Sequence, residues 1–258
     1  MRIVVLVKEV PDTYGDRKLS LETALADRAA SDTVLDEICE RALELALSHA
    51  DAHEGVEVIA VTMAPASASS TVRKALAMGA ARAVHVVDEG LLGADVLLTA
   101  DALAAAIGRG GFDLVIAGNV STDGSGGVVP AALGELLGVP ALTGLAEVEI
   151  SDASVGGTRT VEGGVQRVSA PLPAVISITE ALPDARFPNF KGIVAAKKKP
   201  VDTVSLAELG VDPEDPATAR SIMLSIAERP PRAAGVKITD EGDAGQRLAE
   251  YLVENRLA

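Results

Sequence analysis

The chain alternates short, unbroken apolar runs with longer stretches in which apolar positions recur at helical spacing. Residues 2–8 (RIVVLVK) are apolar up to Lys8 and read as a buried strand. The polar PDTYGDRK stretch that follows reads as a turn-rich loop. From Asp32 to Ala50, the positions Leu35, Ile38, Cys39, Ala42, Leu45 and Ala46 share one helical face. VEVIAVT (56–62) is a second strand. PASASSTVRKALAMGA (65–80) predicts a helix entered through a Ser/Thr-rich turn and closed at Gly79. RAVHVV (82–87) predicts a third strand and 94–107 a helix that stops at GRGG. FDLVIAG (112–118) predicts a fourth strand, and PAALGELLG (130–138) a helix closed by Gly138.

Strands and helices that alternate in this way predict an α/β fold: a doubly wound, mostly parallel, Rossmann-like sheet with helices on both faces. The pattern changes at 141. GLAEVEISDA and TRTVEGGVQRVSA read as a hairpin-like excursion, and LPAVISIT (172–179) as a further buried strand. Beyond 180 the chain is rich in Pro, Lys and Ala and weakly periodic. The expected organisation is therefore an α/β domain over 1–180 and a C-terminal arm over 181–258. The arm is short of self-packing elements until an amphipathic terminal helix, RLAEYLVENRL.

Composition narrows this further. Hydrophobic residues make up 48% of the chain, but there are only three Phe, two Tyr and no Trp, so the core is aliphatic. A formal net charge of −14 argues against a nucleic-acid partner, which needs a basic footprint. A single Cys precludes an intrachain disulfide and fits a reducing compartment. The opening apolar run is too short for a signal or a spanning helix, so no membrane insertion is expected and the cytoplasm is the expected location. In that setting the Asn119 sequon, NVS, reads as chance.

Open parallel sheets bind ligands at the carboxyl ends of their strands, in the crevice where strand order reverses. Those ends are Val7–Val10, Thr62–Pro65 and the loop GNVSTDGSGG over Gly118–Gly127. A Gly-rich loop leading into a helix suits a phosphate, because the backbone can approach closely and unpaired N–H groups are on offer. It also suits an ordinary strand-to-helix loop with an Asx turn. No GxxxxGK[ST], early GxGxxG or GxSxG motif is present. His49, His53 and His85 are not grouped with Cys or carboxylates at ligand spacing, and Cys39 falls on the apolar face of its helix. No acid/base pair or nucleophile dyad emerges, so these residues describe a binding protein more readily than a catalyst.

Four stretches carry a family resemblance: VVLVKEVPDT, VTMAPASASSTVRKALAMGAARAVHV, DLVIAGNVSTDGSGGVVPAALGELLGVPALT, and LPAVISITEALPDARFPNFKGIVAAKKKPVDTVSLAELGV. In this order, and over essentially the whole chain, they resemble the beta subunit of electron transfer flavoprotein. The resemblance implies a fold of the adenine-nucleotide-binding type and a heterodimer with an alpha subunit. It implies one FAD held mostly by alpha, and electron transfer from acyl-CoA and other dehydrogenases to a downstream acceptor oxidoreductase. It implies a buried AMP contacted by Leu6, Lys8, Met63, Asn119, Thr122, Asp123, Gly124, Ser125, Gly126, Gly127, Val128 and Val129, with Tyr14 near the flavin in the complex. Many relatives carry Gln where this chain has Val128 and a small residue where it has Pro130, which moves the phosphate grip onto the backbone of Gly124–Val129. The resemblance also implies that ARFPNFKG is a docking loop, in which Phe187, Pro188, Phe190 and Lys191 meet partner dehydrogenases with Phe187 as the apolar anchor. The Lys197–Lys199 run reads as a solvated face, or as a surface that lies along the alpha subunit or an acidic partner. Alternative readings are packing of Phe187 and Phe190 on the subunit's own core, a bifurcating subunit with a second FAD in place of AMP, and a non-redox adenine-nucleotide-binding protein.

Overall fold

The computed structural model describes residues 1–15, 17–215, 221–235, 237 and 239–257. In chain order its first half contains β1 (Arg2–Leu6), β2 (Glu9–Pro11), β3 (Thr33–Leu35), α1 (Glu37–Ala52), β4 (Glu57–Met63), α2 (Ser69–Met78), β5 (Arg82–Val86), α3 (Val96–Gly110), β6 (Leu114–Gly118) and α4 (Val129–Leu137). The second half contains β7 (Ala141–Leu145), β8 (Glu147–Ile150), β9 (Ser154–Val161), β10 (Gly164–Pro171), β11 (Ala174–Ile178), α5 (Phe190–Ala196), β12 (Val201–Val204), α6 (Leu206–Leu209) and α7 (Ala244–Glu254). Residues 1–224 form one compact unit and 225–258 another. Within the described part of the second unit, α7 is the regular element.

The first unit is built on a seven-stranded sheet in the order β12-β5-β4-β1-β6-β11-β7. Every pairing in it is parallel. The five inner strands, β5, β4, β1, β6 and β11, are buried on both faces, which explains why they read as continuous apolar runs. Successive side chains still alternate between two cores. Ile3, Val5, Val58, Ala60 and Ile116 face α1 and α2, where they meet Leu43, Leu47, Val72 and Leu76. Val4, Leu6, Ile59, Val61 and Val115 face the other way, onto Leu103 and Ile107 of α3 and Leu133 of α4. With so few rings available, the first core is closed by alanines instead. Ala42, Ala46 and Ala75 are fully buried and let the helices sit close to the sheet.

Three regions differ from the sequence pattern for local reasons. The expected helix from Asp32 begins only at Glu37, because Thr33–Leu35 pairs antiparallel with Glu9–Pro11, and Asp36 sits in extended backbone with φ −59° and ψ 130°. The excursion after 141 first contributes β7 to the sheet edge beside β11, and only then forms the antiparallel meander β10-β9-β8. Within the stretch expected to be an arm, β12 pairs in register with β5, from Val201↔Ala83 to Val204↔Val86, and so ends the sheet.

Candidate functional site

The chain leaves β1 for β4 and β5 on one side and returns through α3 to β6 on the other, so strand order reverses between β1 and β6. A cleft of about 850 Å3 opens at the carboxyl ends of these strands. Of the residues singled out from sequence, Leu6, Lys8, Met63, Asn119, Gly124, Gly126, Gly127, Val128 and Val129 line it together. Thr122, Asp123 and Ser125 shape the loop from behind and do not line the cleft.

The loop between β6 and α4 is held by a compact polar knot. Lys8 Nζ donates to Asp123 Oδ1 at 2.6 Å and to Ser121 Oγ at 3.1 Å. Ser121 Oγ also accepts the Gly124 N–H at 3.2 Å. Two glycines shape the turn, Gly127 by its positive φ and Gly124 by the tight space beside Ser121. A Cβ on Gly124 would lie 3.3 Å from Ser121 Oγ, and Gly127 adopts φ +66° with Val120 3.2 Å from any added Cβ. The backbone N–H groups of Gly126, Gly127 and Val128 meet no acceptor among the described residues. They lie at the start of α4, whose N-cap residue, Val128, has no side-chain hydrogen bond to offer. A helix start with uncommitted N–H groups beside glycines is suited to an anion.

Three cations gather at this loop although the chain is acidic overall, while Asp88, Glu89 and Asp95 line the β5–α3 side of the cleft. Asp123 is paired with Lys8 and, at 3.6 Å, with Arg28. Arg17 donates to the Thr122 carbonyl. Burial opposes the Asp123 charge, but the Lys8 hydrogen bond and charge, with help from Ser121 and Gly124, hold its carboxyl below the usual range. Asp36, 1% exposed, lies beneath the loop. Its Oδ2 accepts the Thr122 N–H at 3.0 Å, while its Oδ1 and the Thr122 hydroxyl are buried without a partner. Burial pushes the Asp36 carboxyl up, and the Thr122 N–H opposes that shift. Asp36 therefore ties the start of α1 to the loop instead of capping its own helix.

Sequence reasoning missed several walls of the cleft. Arg28, Ile38 and Cys39 line it from the β3–α1 side, and the stretch from Asp88 to Thr99 lines it from the β5–α3 side. Asp36 gave no signal of its role in the sequence, because the helical pattern read from Asp32 placed it inside the helix. Cys39 is both core and wall. Burial and the nearby Asp36 charge push its thiol up to about 12, so it is a protonated apolar group and not a nucleophile. His85 Nε2 lies 3.0 Å from the Ala64 carbonyl, and His49 stacks on His53 with ring centroids 4.1 Å apart. Among the described residues no group of His, Cys, Asp and Glu is placed to hold a metal.

The remaining sequence candidates lie outside the cleft. Tyr14 is 99% exposed. Phe187 is 92% and Phe190 83% exposed, so neither packs into the core of this chain. Pro188 is half-buried and Lys191 exposed. The lysine run divides. Lys197 and Lys198 are exposed, but Lys199 turns inward, and its Nζ donates to the carbonyls of Leu76 (2.9 Å), Gly79 (3.2 Å) and Ala80 (2.6 Å). It thus satisfies the open carbonyls at the end of α2, which corrects the solvated-face reading for this lysine.

Residues 23–209 match the family model described as the electron transfer flavoprotein domain. The chain is 48% identical over 262 residues to the electron transfer flavoprotein subunit beta of Mycobacterium bovis, covering 99% of this chain and 98% of that one. The chain belongs to the electron transfer flavoprotein family, as a beta subunit. It is 33% identical over 253 residues to the subunit beta of Syntrophomonas wolfei, covering 98% of this chain and 96% of the relative. It is also 34% identical over 215 residues to subunit CarD of the caffeyl-CoA reductase–Etf complex of Acetobacterium woodii, covering 83% of this chain and 82% of the relative. An electron transfer flavoprotein beta subunit is an electron carrier, and it works in a heterodimer with an alpha subunit. Among the described residues of this family member, no helix is long and apolar enough to cross a membrane.

Proposed function

We propose that this beta subunit holds a structural AMP in the cleft between β1 and β6 and forms, with its alpha subunit, a cytoplasmic carrier containing one FAD. The carrier takes electrons from acyl-CoA and related dehydrogenases and delivers them to a downstream oxidoreductase. The observation that carries the nucleotide assignment is the run of N–H groups at Gly126–Val128 without acceptors among the described residues, in a cleft that Lys8, after β1, and Arg28, before β3, also line. In this reading the phosphate lies on those N–H groups, and the apolar walls at Leu6, Met63 and Ile38 receive the base. Asp123 neutralises part of the Lys8 and Arg28 charge and keeps the loop in place.

FAD supplies the redox chemistry when bound. This chain contributes the 10–14 loop with its exposed Tyr14, and an apolar rim at Leu92, Val96, Val120 and Val128 that is exposed in the isolated subunit. An apolar patch of this kind fits coverage by the alpha subunit. Phe187 is the docking anchor for dehydrogenases, because an aromatic ring 92% exposed beside a proline is pre-set for burial in a partner.

The volume of the cleft supports a second reading. About 850 Å3 is near the top of the roughly 300–1,000 Å3 range of small-ligand sites, so a second FAD is the alternative occupant. Chromatography and absorbance of the ligands released from purified heterodimer decide between the two. One FAD with one AMP supports the carrier reading, and two FAD without AMP supports the bifurcating one.

A further inference from the structure

The segment that displays Phe187 is fastened to α1 by a row of polar side chains. Arg41, Glu44, Ser48 and Asp51 follow each other at three- and four-residue spacing, which aligns them on one face of that helix. Arg41 donates to the Leu182 carbonyl and to the Asp184 carboxylate. Glu44 Oε2 accepts both the Arg186 backbone N–H at 3.0 Å and its Nε at 2.7 Å, and Oε1 accepts Nη2 at 2.9 Å. The Ser48 hydroxyl donates to the same carboxylate at 2.8 Å, and Arg186 Nη1 lies 2.8 Å from Asp51. The Glu44 and Arg186 side chains are 16% and 34% exposed, whereas the surface pair Arg167–Glu149 is 75% and 77% exposed. Such a shielded, two-pronged pair fixes geometry in a way that exposed pairs do not. Burial opposes the Glu44 charge, but its hydrogen bonds with Arg186 win and hold the carboxyl below its usual range.

A second anchorage lies just beyond the ring. Asn189 accepts the Gly192 N–H at 2.8 Å and so caps α5. Gly192 sits so close to α2 that a Cβ there would lie 2.4 Å from the Ala77 carbonyl oxygen. Phe187 therefore projects from backbone that is held at Arg186 on one side and at Asn189 on the other.

We propose that Glu44 is a positioning residue for dehydrogenase docking: through Arg186 it fixes, before the partner arrives, the backbone from which Phe187 projects. The proposal rests on the reading of Phe187 as the anchor. An anchor whose backbone is already ordered loses less conformational freedom on docking, so releasing it weakens the encounter and leaves the chemistry alone.

The test compares the FAD-loaded heterodimer with its Glu44→Gln, Arg186→Ala and Phe187→Ala variants as electron acceptors for an acyl-CoA dehydrogenase. Hydrogen exchange across residues 183–189 is measured in parallel. Loss of one charged hydrogen-bonded partner should raise the apparent KM of Glu44→Gln about tenfold. Its kcat and bound FAD should stay at wild-type values, with faster exchange confined to 183–189. Arg186→Ala should reproduce this from the other side of the pair, and it carries the test if Glu44→Gln does not fold. If Phe187→Ala raises KM while Glu44→Gln and Arg186→Ala leave it unchanged, the positioning role is wrong and the anchor stands. If Phe187→Ala itself leaves KM unchanged, the anchor reading fails and the proposal falls with it. Exchange that rises throughout α1, with kcat falling, would show a general stabilising role and overturn the proposal.

Discussion

Gly126→Asp puts a charge into the cleft without straining the fold. Gly126 is not among the glycines at positive φ, and an added Cβ would meet no atom within 4 Å. The substitution therefore leaves the free subunit intact and acts on the ligand. The new carboxylate stands beside the N–H groups assigned to the phosphate. Two like charges about 4 Å apart at an effective dielectric of about 20 repel by about 4 kcal/mol, roughly a thousandfold in affinity. Lys8 and Arg28 offset part of this, so a loss of about a hundredfold is the conservative expectation. The effect is also visible in stability. A ligand at a hundred times its Kd stabilises the native state by about 2.7 kcal/mol. At about 2–4 °C per kcal/mol for a chain of this size, added AMP should raise the wild-type Tm by about 5–10 °C. The variant should be purified without nucleotide and show no such rise, while Gly126→Ala behaves as wild type. If Gly126→Asp retained full nucleotide content and the same AMP-induced Tm shift, the phosphate would not lie at this loop.

Phe187→Ala should leave Tm, assembly and bound FAD unchanged, because a ring 92% exposed contributes almost nothing to folding. In titrations of dehydrogenase against carrier it should cost about 2 kcal/mol of docking, roughly thirtyfold, and a fall in Tm instead would show a core role. Gly192→Ala should lower Tm, because the added methyl meets the Ala77 backbone at 2.4 Å and α5 has to lift off α2; an unchanged melting curve would contradict that packing. The depressed Asp123 carboxyl stabilises the fold above its ordinary pKa of 3.8, and that contribution is lost as pH falls through the lower folded value. Asp123→Asn should thus be less stable than wild type at neutral pH, and the difference should shrink on acidification below 3.8; a Tm difference constant with pH would count against the Lys8–Asp123 pair. The isolated subunit should be purified colourless, since the flavin contacts are assigned mostly to alpha, and a yellow beta subunit with stoichiometric FAD would contradict that division.

How much of this was legible in the sequence depended on the kind of contact each element makes. β1, β4, β5, β6 and β11 are buried on both faces and stood out as apolar runs. The edge strands did not. β12 is VDTV with Asp202 and Thr203 exposed, so it resembled part of an arm, and β7 is a short ALTGL directly after Pro140. β3 was absorbed into the helical pattern because Leu35 falls on the α1 apolar face. The Gly-rich loop was readable because backbone chemistry needs glycine. Its supports were not, because Asp36 and Lys8 reach the loop from 86 and 115 residues away, at Thr122 and Asp123. The same holds for Glu44, which lies 142 residues from Arg186 and looks in sequence like any polar position on an amphipathic helix. Lys199 shows the converse: a charge run suggests solvent, and only the fold brings three carbonyls to its Nζ.

The central claim is that the cleft between β1 and β6 holds AMP in a heterodimer with a single flavin. Native mass spectrometry of the purified alpha–beta complex, with the released ligands identified by their masses, tests it most directly. The expected complex carries one FAD and one AMP, and it loses AMP but keeps FAD when beta carries Gly126→Asp. A complex with two FAD and no AMP, or one whose AMP survives that substitution, would contradict it.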